Sequence, residues 1–349
     1  MTNKTLEQLR LPAEWEPCGG VLLAWPHEAT DWNYMLPQVQ DCYAELIRAV
    51  SRHAVAVVIA PDTRRLSGLF RDIDPERIIF CDVPTDDTWT RDYGVITLRD
   101  VEGNPVMKDF GFNAWGGKFP HDLDNQVNRR LHEAGLLIGR LDNNNDFILE
   151  GGSIESDGHG TILTTTSCLL TDTRNGTDRD IIGKELCERL NANHLLWLDH
   201  GALTGDDTDG HIDTIARLAP DNTILYCAAT ADGDADEQSP SLEAMLDTLK
   251  SFRTPEGDAY NLIELPLPDP IHDEEGNRLP ATYANFLIVN DAILMPVYGQ
   301  PRKDMLAEMT LKVAFPGHVI EKVDCRALIC QHGSLHCATM QLPQDVLPI

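Results

Sequence analysis

Residues 205–219 read GDDTDGHIDTIARLA: Asp206, Asp207, Asp209, His211 and Asp213 crowd together, and the chain then turns apolar. Like charges at such spacing repel, and a carboxylate entering a buried segment is costly unless something positive meets it. In an extended chain, Asp207, Asp209, His211 and Asp213 would share one face. His211 also belongs to a longer series. Asp92 in TWTRDYG, Glu150 in ILEGGS, His211 in DGHID, Asn285 in YANF and Cys337 in SLHCATMQ recur at intervals of roughly sixty residues. Each stands beside a run able to form a strand. A ring of repeats, each offering one polar strand end to a common axis, would gather these five residues into one site.

The rest of the chain reads as α/β. Strand-like apolar runs fall at 19–26, 54–60, 77–83, 94–99, 160–170, 223–229, 285–297 and 326–330. Helical periodicity lies between them at 39–53, 124–135, 181–193, 241–252 and 303–315. No linker or shift of composition divides the chain, so 1–349 is read as a single domain.

Charge narrows the function classes. Lys and Arg number 28 against 56 Asp and Glu, a formal charge of −28. Such a surface repels nucleic acid and attracts small cations. Nine cysteines, an odd number without a C-x-x-C pair, read as reduced thiols in a cytoplasmic protein. The opening residues carry no apolar leader core, and no stretch is long enough for a membrane span.

A metal fits the 205–219 stretch poorly. An EF-hand loop from Asp207 would need Gly at 212 and Glu at 218, where Ile212 and Leu218 stand. A zinc site could use His211 and Asp213, but no second His or Cys pair is spaced to complete it. The alternatives that remain are a solvated acidic turn and a site for a cationic ligand, and the apolar run that follows favours the second. Cys337 is the candidate nucleophile and His211 the better candidate base, since His336 would point to the opposite face of a strand. Cys168, Cys227 and Trp115 read as core, and Trp89 as core or pocket wall. Glu150, between an apolar residue and two glycines, reads as a strand-end carboxylate or half of a salt bridge.

LPAEWEP, AWP, DTWTRD-G, NAWGG, LEGGS with TILTT, GHID, YANFLIVND and LHC-T-Q-P follow one another from about Leu11 to Pro343. In this order they resemble the agmatine deiminases and bacterial peptidylarginine-deiminase-like proteins. The chain departs from the commoner family pattern at QHGSLHC, at DDTDGHID and at CLLTDTRNG, which lacks the usual Asn-Arg-Asn-Pro. The resemblance implies a five-bladed ββαβ propeller with pseudo-fivefold symmetry. It implies that Cys337 is the nucleophile, His211 the general acid and base, and Glu150 the residue orienting His211. Asp92 and Asp213 would clasp a guanidinium, Trp89 would wall the pocket, and Asp207 would meet the distal amine of the substrate. No metal and no organic cofactor are implied, and a homodimer stays open.

The implied reaction converts agmatine to N-carbamoylputrescine and ammonia through a covalent amidino-cysteine. Deimination of free or peptidyl arginine is the near alternative, and non-catalytic binding of polyamine or divalent metal the remote one. No Arg or Lys is read as opposing the acidic cluster, so the missing positive charge is assigned to the substrate.

Overall fold

The computed structural model describes residues 9–228 and 237–348. Residues 1–8, where a leader was sought, and Ala229, the end of the 223–229 run, lie outside these. The fold is mixed α/β. Four sheets repeat one pattern: an antiparallel hairpin, then a helical crossover to a third strand running parallel to the second.

The first such sheet holds Ile96–Arg99, Pro105–Gly111 and Arg140–Ile148, with the helix Val127–Glu133 in its crossover. The second holds Ile154–Ser156, Thr161–Thr165 and His194–Leu198, with Arg179–Leu190 between the last two. The third holds Ala216–Ala219, Thr223–Cys227 and Asn261–Leu265, crossed by Ser239–Ser251. The fourth holds Leu287–Val289, Ala292–Val297 and Val319–Asp324, crossed by Pro301–Ala314.

A fifth sheet keeps the pattern by joining the two ends of the chain. Met340–Pro343 pairs antiparallel with Cys18–Ala24, which runs parallel to Val55–Ala60 across the helix Leu36–His53. Ile78–Asp82 extends its edge. Cys18–Ala24 and Val55–Ala60 are almost wholly buried, which is why they read as continuous apolar runs rather than as alternation.

Several segments differ from their sequence reading. The 160–170 run is a strand only over Thr161–Thr165 and turns helical at Thr166–Leu169. The 285–297 run is a hairpin, because Asn290 takes a left-handed φ of 52° and turns the chain back with Asp291. Residues 326–330 are not a strand; the chain there makes the 3-10 turn Leu328–Gln331. Two strands at the ends of crossovers, Arg140–Ile148 (RLDNNNDFI) and Val319–Asp324 (VIEKVD), carry too many polar residues to show as apolar runs. No helix among the described residues is long and apolar enough to cross a membrane.

Candidate active site

The residues of the recurring series come together between the sheets. TWTRD closes into the short helix Thr90–Tyr93, stitched to the end of the chain by Arg91 N donating to the Cys337 carbonyl at 3.2 Å and by Thr90 Oγ1 donating to that of Ala338. Asp92 is thereby held inward. Its Oδ1 accepts from the Gly152 N–H and its Oδ2 from Trp115 Nε1, both at 3.0 Å.

Gly152 reports how tightly the other groups converge. A methyl carbon there would lie 2.6 Å from His211 Nδ1, 2.8 Å from Asp92 Oδ1 and 3.1 Å from Asp213 Oδ2. Three ionisable side chains therefore crowd one hydrogen atom. This is the reason for glycine in LEGGS: any side chain would occupy the space where they meet.

Cys337 follows the 3-10 turn Leu328–Gln331. Its N–H and its sulfur both approach Asn285 Oδ1, at 3.2 and 3.4 Å, and its Sγ lies 4.0 Å from Asp213 Oδ2. Burial, then Asp213 and Asp92, push the Cys337 thiol well up. Burial would lower the His211 imidazole, but Asp92, Cys168 and Asp213 outweigh it and hold the ring well above its ordinary range. Burial pushes Asp92 up to about 6, with Asp213 and Glu150 adding to the rise and His211 opposing it. Burial also acts to raise Asp213, but His336, His211 and Arg217 hold it below the usual carboxylate range.

A narrow pocket with about 20 Å³ of free space leads to the sulfur. Trp89, Asp92, Trp115, Asp207, His332 and Cys337 line it, while Glu150, His211 and Asp213 are fully buried behind the lining. Asp31 and Asp87 add two further carboxylates to its wall.

Several expectations need correction. The acidic part of the 205–219 stretch is not extended: Asp209 and Gly210 take φ values of 69° and 93°, followed by the 3-10 turn Ile212–Thr214, and only Ala216–Ala219 forms a strand. The one-face alignment of its acids is lost, and each has a separate task. Asp206 closes the turn by accepting from Thr208 Oγ1 and the Gly210 N–H. Asp209 pairs with Arg174 at 2.8 Å and Lys118 at 3.0 Å. Only Asp207 faces the pocket. There burial pushes its carboxyl up, opposed by His332 and Lys118.

Positive charge is present after all. Arg174, its side chain fully buried, sets Nε against both Glu150 oxygens at 2.9 and 3.1 Å. Glu150 therefore answers Arg174, and no hydrogen bond joins it to His211. The nearest carboxylate to His211 is Asp92, whose Oδ1 is 3.6 Å from Nδ1, and neither ring nitrogen has a hydrogen-bond partner among the described residues. Trp115 and Cys168 are buried in the core as read, and both also reach the site: Trp115 Nε1 donates to Asp92, and Cys168 lies against His211. Asn285, Gly152 and Arg174 carried no assigned role in the sequence reading. Arg174 was legible only as the Arg-Asn surviving from the family's Asn-Arg-Asn-Pro.

Glu150, Cys168 and His211 could each present one ligand atom, all within 4.8 Å of one another. The trio does not suit a dication, because the Arg174 guanidinium already occupies both Glu150 oxygens and would repel it. The arrangement suits a planar organic cation: carboxylates beside a thiol, with an imidazole that keeps its proton.

A family model described as Porphyromonas-type peptidyl-arginine deiminase matches residues 10–343. The agmatine deiminase of Pseudomonas aeruginosa (strain UCBPP-PA14) is 33% identical, the match spanning 98% of this chain and 99% of that protein. The structure of a Porphyromonas gingivalis protein assigned as an arginine deiminase is 45% identical, with a TM-score of 0.90 over 97% of this chain and all of the other. A cysteine-to-serine variant of C. jejuni agmatine deiminase, solved with substrate bound, is 36% identical, with a TM-score of 0.90 over 99% of each chain. With a family match that spans all five of the ββαβ sheets and relatives aligned nearly end to end, the chain belongs to the Porphyromonas-type peptidyl-arginine deiminase family.

Proposed function

We propose that the protein is a cysteine-dependent deiminase that hydrolyses agmatine to N-carbamoylputrescine and ammonia, in a cytoplasmic setting. The observation that carries this reading is the meeting of Asp92, Asp213 and His211 at Gly152, with Cys337 4.0 Å from Asp213. The five ββαβ sheets are read as the blades of a single-domain propeller, whose inner strand ends supply one site residue each.

A guanidinium is planar and presents its N–H donors in a fixed fork. Asp92 and Asp213 accept those donors and hold the central carbon before Cys337. The incoming cation reverses the local charge, so the thiol gives up its proton to solvent as substrate enters. The thiolate attacks the carbon. His211, holding its proton in the resting site, donates it to the departing nitrogen, which leaves as ammonia. The C–N bond is then replaced by a C–S bond in a covalent amidino-cysteine. The neutral His211 next takes a proton from water, whose oxygen attacks the same carbon. The C–S bond breaks, the carbamoyl product departs and Cys337 is restored. Glu150 and Arg174 fix the protein behind His211, and Trp89 walls the pocket. The chemistry needs neither metal nor organic cofactor.

Asp207, Asp31 and Asp87 at the pocket wall favour a substrate whose far end is an amine. Arginine, free or in a peptide, is the second reading, supported by the Porphyromonas gingivalis relative and by Lys118 and His332 beside Asp207. Ammonia release from agmatine, arginine and a peptide with C-terminal arginine separates them. Agmatine is expected to have by far the highest kcat/KM, and Asp207→Asn is expected to raise its KM and narrow that lead. Equal kcat/KM for agmatine and arginine would remove the amine-tail reading.

A further inference from the structure

A second cavity, about 420 Å³, shares no lining residue with the pocket at Cys337. Glu14, in its wall, is the start of a hydrogen-bonded chain to the site. Glu14 Oε1 lies 2.7 Å from His336 Nε2, and His336 Nδ1 lies 2.7 Å from Asp213 Oδ2. His336 and Asp213 are buried, while the Glu14 side chain keeps 18% exposure. We propose that His336 is a positioning residue for deimination: bridging Asp213 to Glu14, it keeps the Asp213 carboxylate ionised and aimed, and ties turnover to the charge state of Glu14 in the second cavity.

The ring's surroundings argue for this role. Carboxylate oxygens only accept, so both 2.7 Å contacts are hydrogen bonds only when both ring nitrogens carry protons. The charges agree. Around the ring stand three carboxylates, Glu14, Glu155 and Asp213, and two guanidiniums, Arg217 and Arg91. Arg217 Nη2 donates to Glu14 Oε2 at 2.6 Å and its Nε to Glu155 at 2.6 Å, whereas its 3.2 Å approach to His336 Nε2 is, with that nitrogen protonated, a contact between two donors that the carboxylates around it must offset. Arg91 Nη1 lies 3.3 Å from Glu14 Oε1. A cationic His336 is the third positive charge that balances this buried set. On the substrate side, Asp213 faces His211, Asp92 and Cys337. The backbone N–H of His336 donates to Asn285 Oδ1 at 2.9 Å, so the residue holding Cys337 also holds the bridge.

The inference rests on the deiminase reading, and pH profiles of agmatine turnover test it. His336→Asn leaves a donor near Asp213 without the charge, and Glu14→Gln keeps shape while weakening the far partner. The expected result is a kcat/KM lowered at neutral pH by at least ~10-fold for His336→Asn and ~3-fold for Glu14→Gln, through KM more than kcat. In both variants the acid limb should move above the position that Asp92 sets in the wild type, because the fully buried Asp213, without its charged partner, holds its proton past that point. Profiles merely scaled down, or unchanged, would overturn the proposal, since a structural role lowers activity at every pH alike. Should His336→Asn not fold, Glu14→Gln decides alone. If the wild-type protein releases no ammonia from any guanidino compound, the deiminase reading fails, and ¹⁵N spectra of histidine-labelled protein decide the bridge. His336 protonated at both nitrogens supports it, and a singly protonated ring refutes it.

Discussion

The sulfur of Cys337 lies 4.0 Å from Asp213 Oδ2, beside a carboxylate rather than a cation. Most reactive cysteines are activated by positive neighbours. Here burial, Asp213 and Asp92 all act to keep the proton on sulfur. Alkylation by neutral iodoacetamide should therefore be slow near neutral pH and still rising past about pH 9, above the ~8.5 of an ordinary thiol. A haloacetamidine, carrying the charge of the substrate, should react at least ~10-fold faster. A rate that levels off below neutral pH would mean a thiolate formed before substrate arrives.

As the proposed guanidinium acceptor, Asp92 is expected to set the acid side of the activity profile. It must be ionised to accept a guanidinium, and its carboxyl is pushed up to about 6. So kcat/KM for agmatine should fall as pH drops through that value. In the empty enzyme the same shift works against stability: folded Asp92 keeps its proton to higher pH than the unfolded chain, so its contribution declines between about pH 4 and about pH 6. Asp92→Asn or Asp213→Asn should each lose a charge-assisted hydrogen bond costing roughly 1.5–3 kcal/mol, about 10- to 150-fold in kcat/KM before misalignment is counted. Near-native kcat/KM in either variant would show that the wrong carboxylates have been assigned.

Gly152→Ala should separate activity from folding. The added carbon would lie 2.6 Å from His211 Nδ1, closer than real contacts allow. Strain of about 1–3 kcal/mol should leave the protein folded, while displacement of His211 and Asp92 should lower kcat/KM by at least ~100-fold. Thermal unfolding and ammonia release, measured on the same preparation, check both halves.

Arg174 is a stability residue with a catalytic consequence. Its guanidinium contacts Glu150, Asp209 and the Thr208 carbonyl. Arg174→Met would leave the Glu150 carboxylate buried and uncompensated, at a cost of about 3–5 kcal/mol. Adding Glu150→Gln should recover part of that loss in urea unfolding. A double variant no more stable than Arg174→Met would show that the pair is not coupled.

How much was legible in the sequence follows from what each residue answers to. Asp92, Glu150, His211, Asn285 and Cys337 stood out because each is an odd polar residue beside an apolar run. Their spacing pointed to repeats, and five of the described sheets share one strand pattern. The partners of Glu150 and Asp209 did not show, because Arg174 reaches them through a turn without periodicity. The acids of 205–219 were read as one face because period two holds only in an extended chain, and the positive φ values at Asp209 and Gly210 end it. Trp115 looked like core because burial and hydrogen bonding to Asp92 are compatible, and only the first can be guessed from residue type.

The sheet that joins Cys18–Ala24 to Met340–Pro343 also sets an order on synthesis. Cys18 and Leu342, in contact across that sheet, are 324 positions apart in the chain. A polypeptide emerging from its N-terminus exposes the Cys18–Ala24 strand long before its neighbour exists, a separation that makes closure a late and slow event. Cys337, the proposed nucleophile, arrives three residues ahead of that closing strand. Nascent chains thus carry the acids and the imidazole through roughly the last third of translation before Cys337 joins them, and the proposed site is complete only when this last sheet closes.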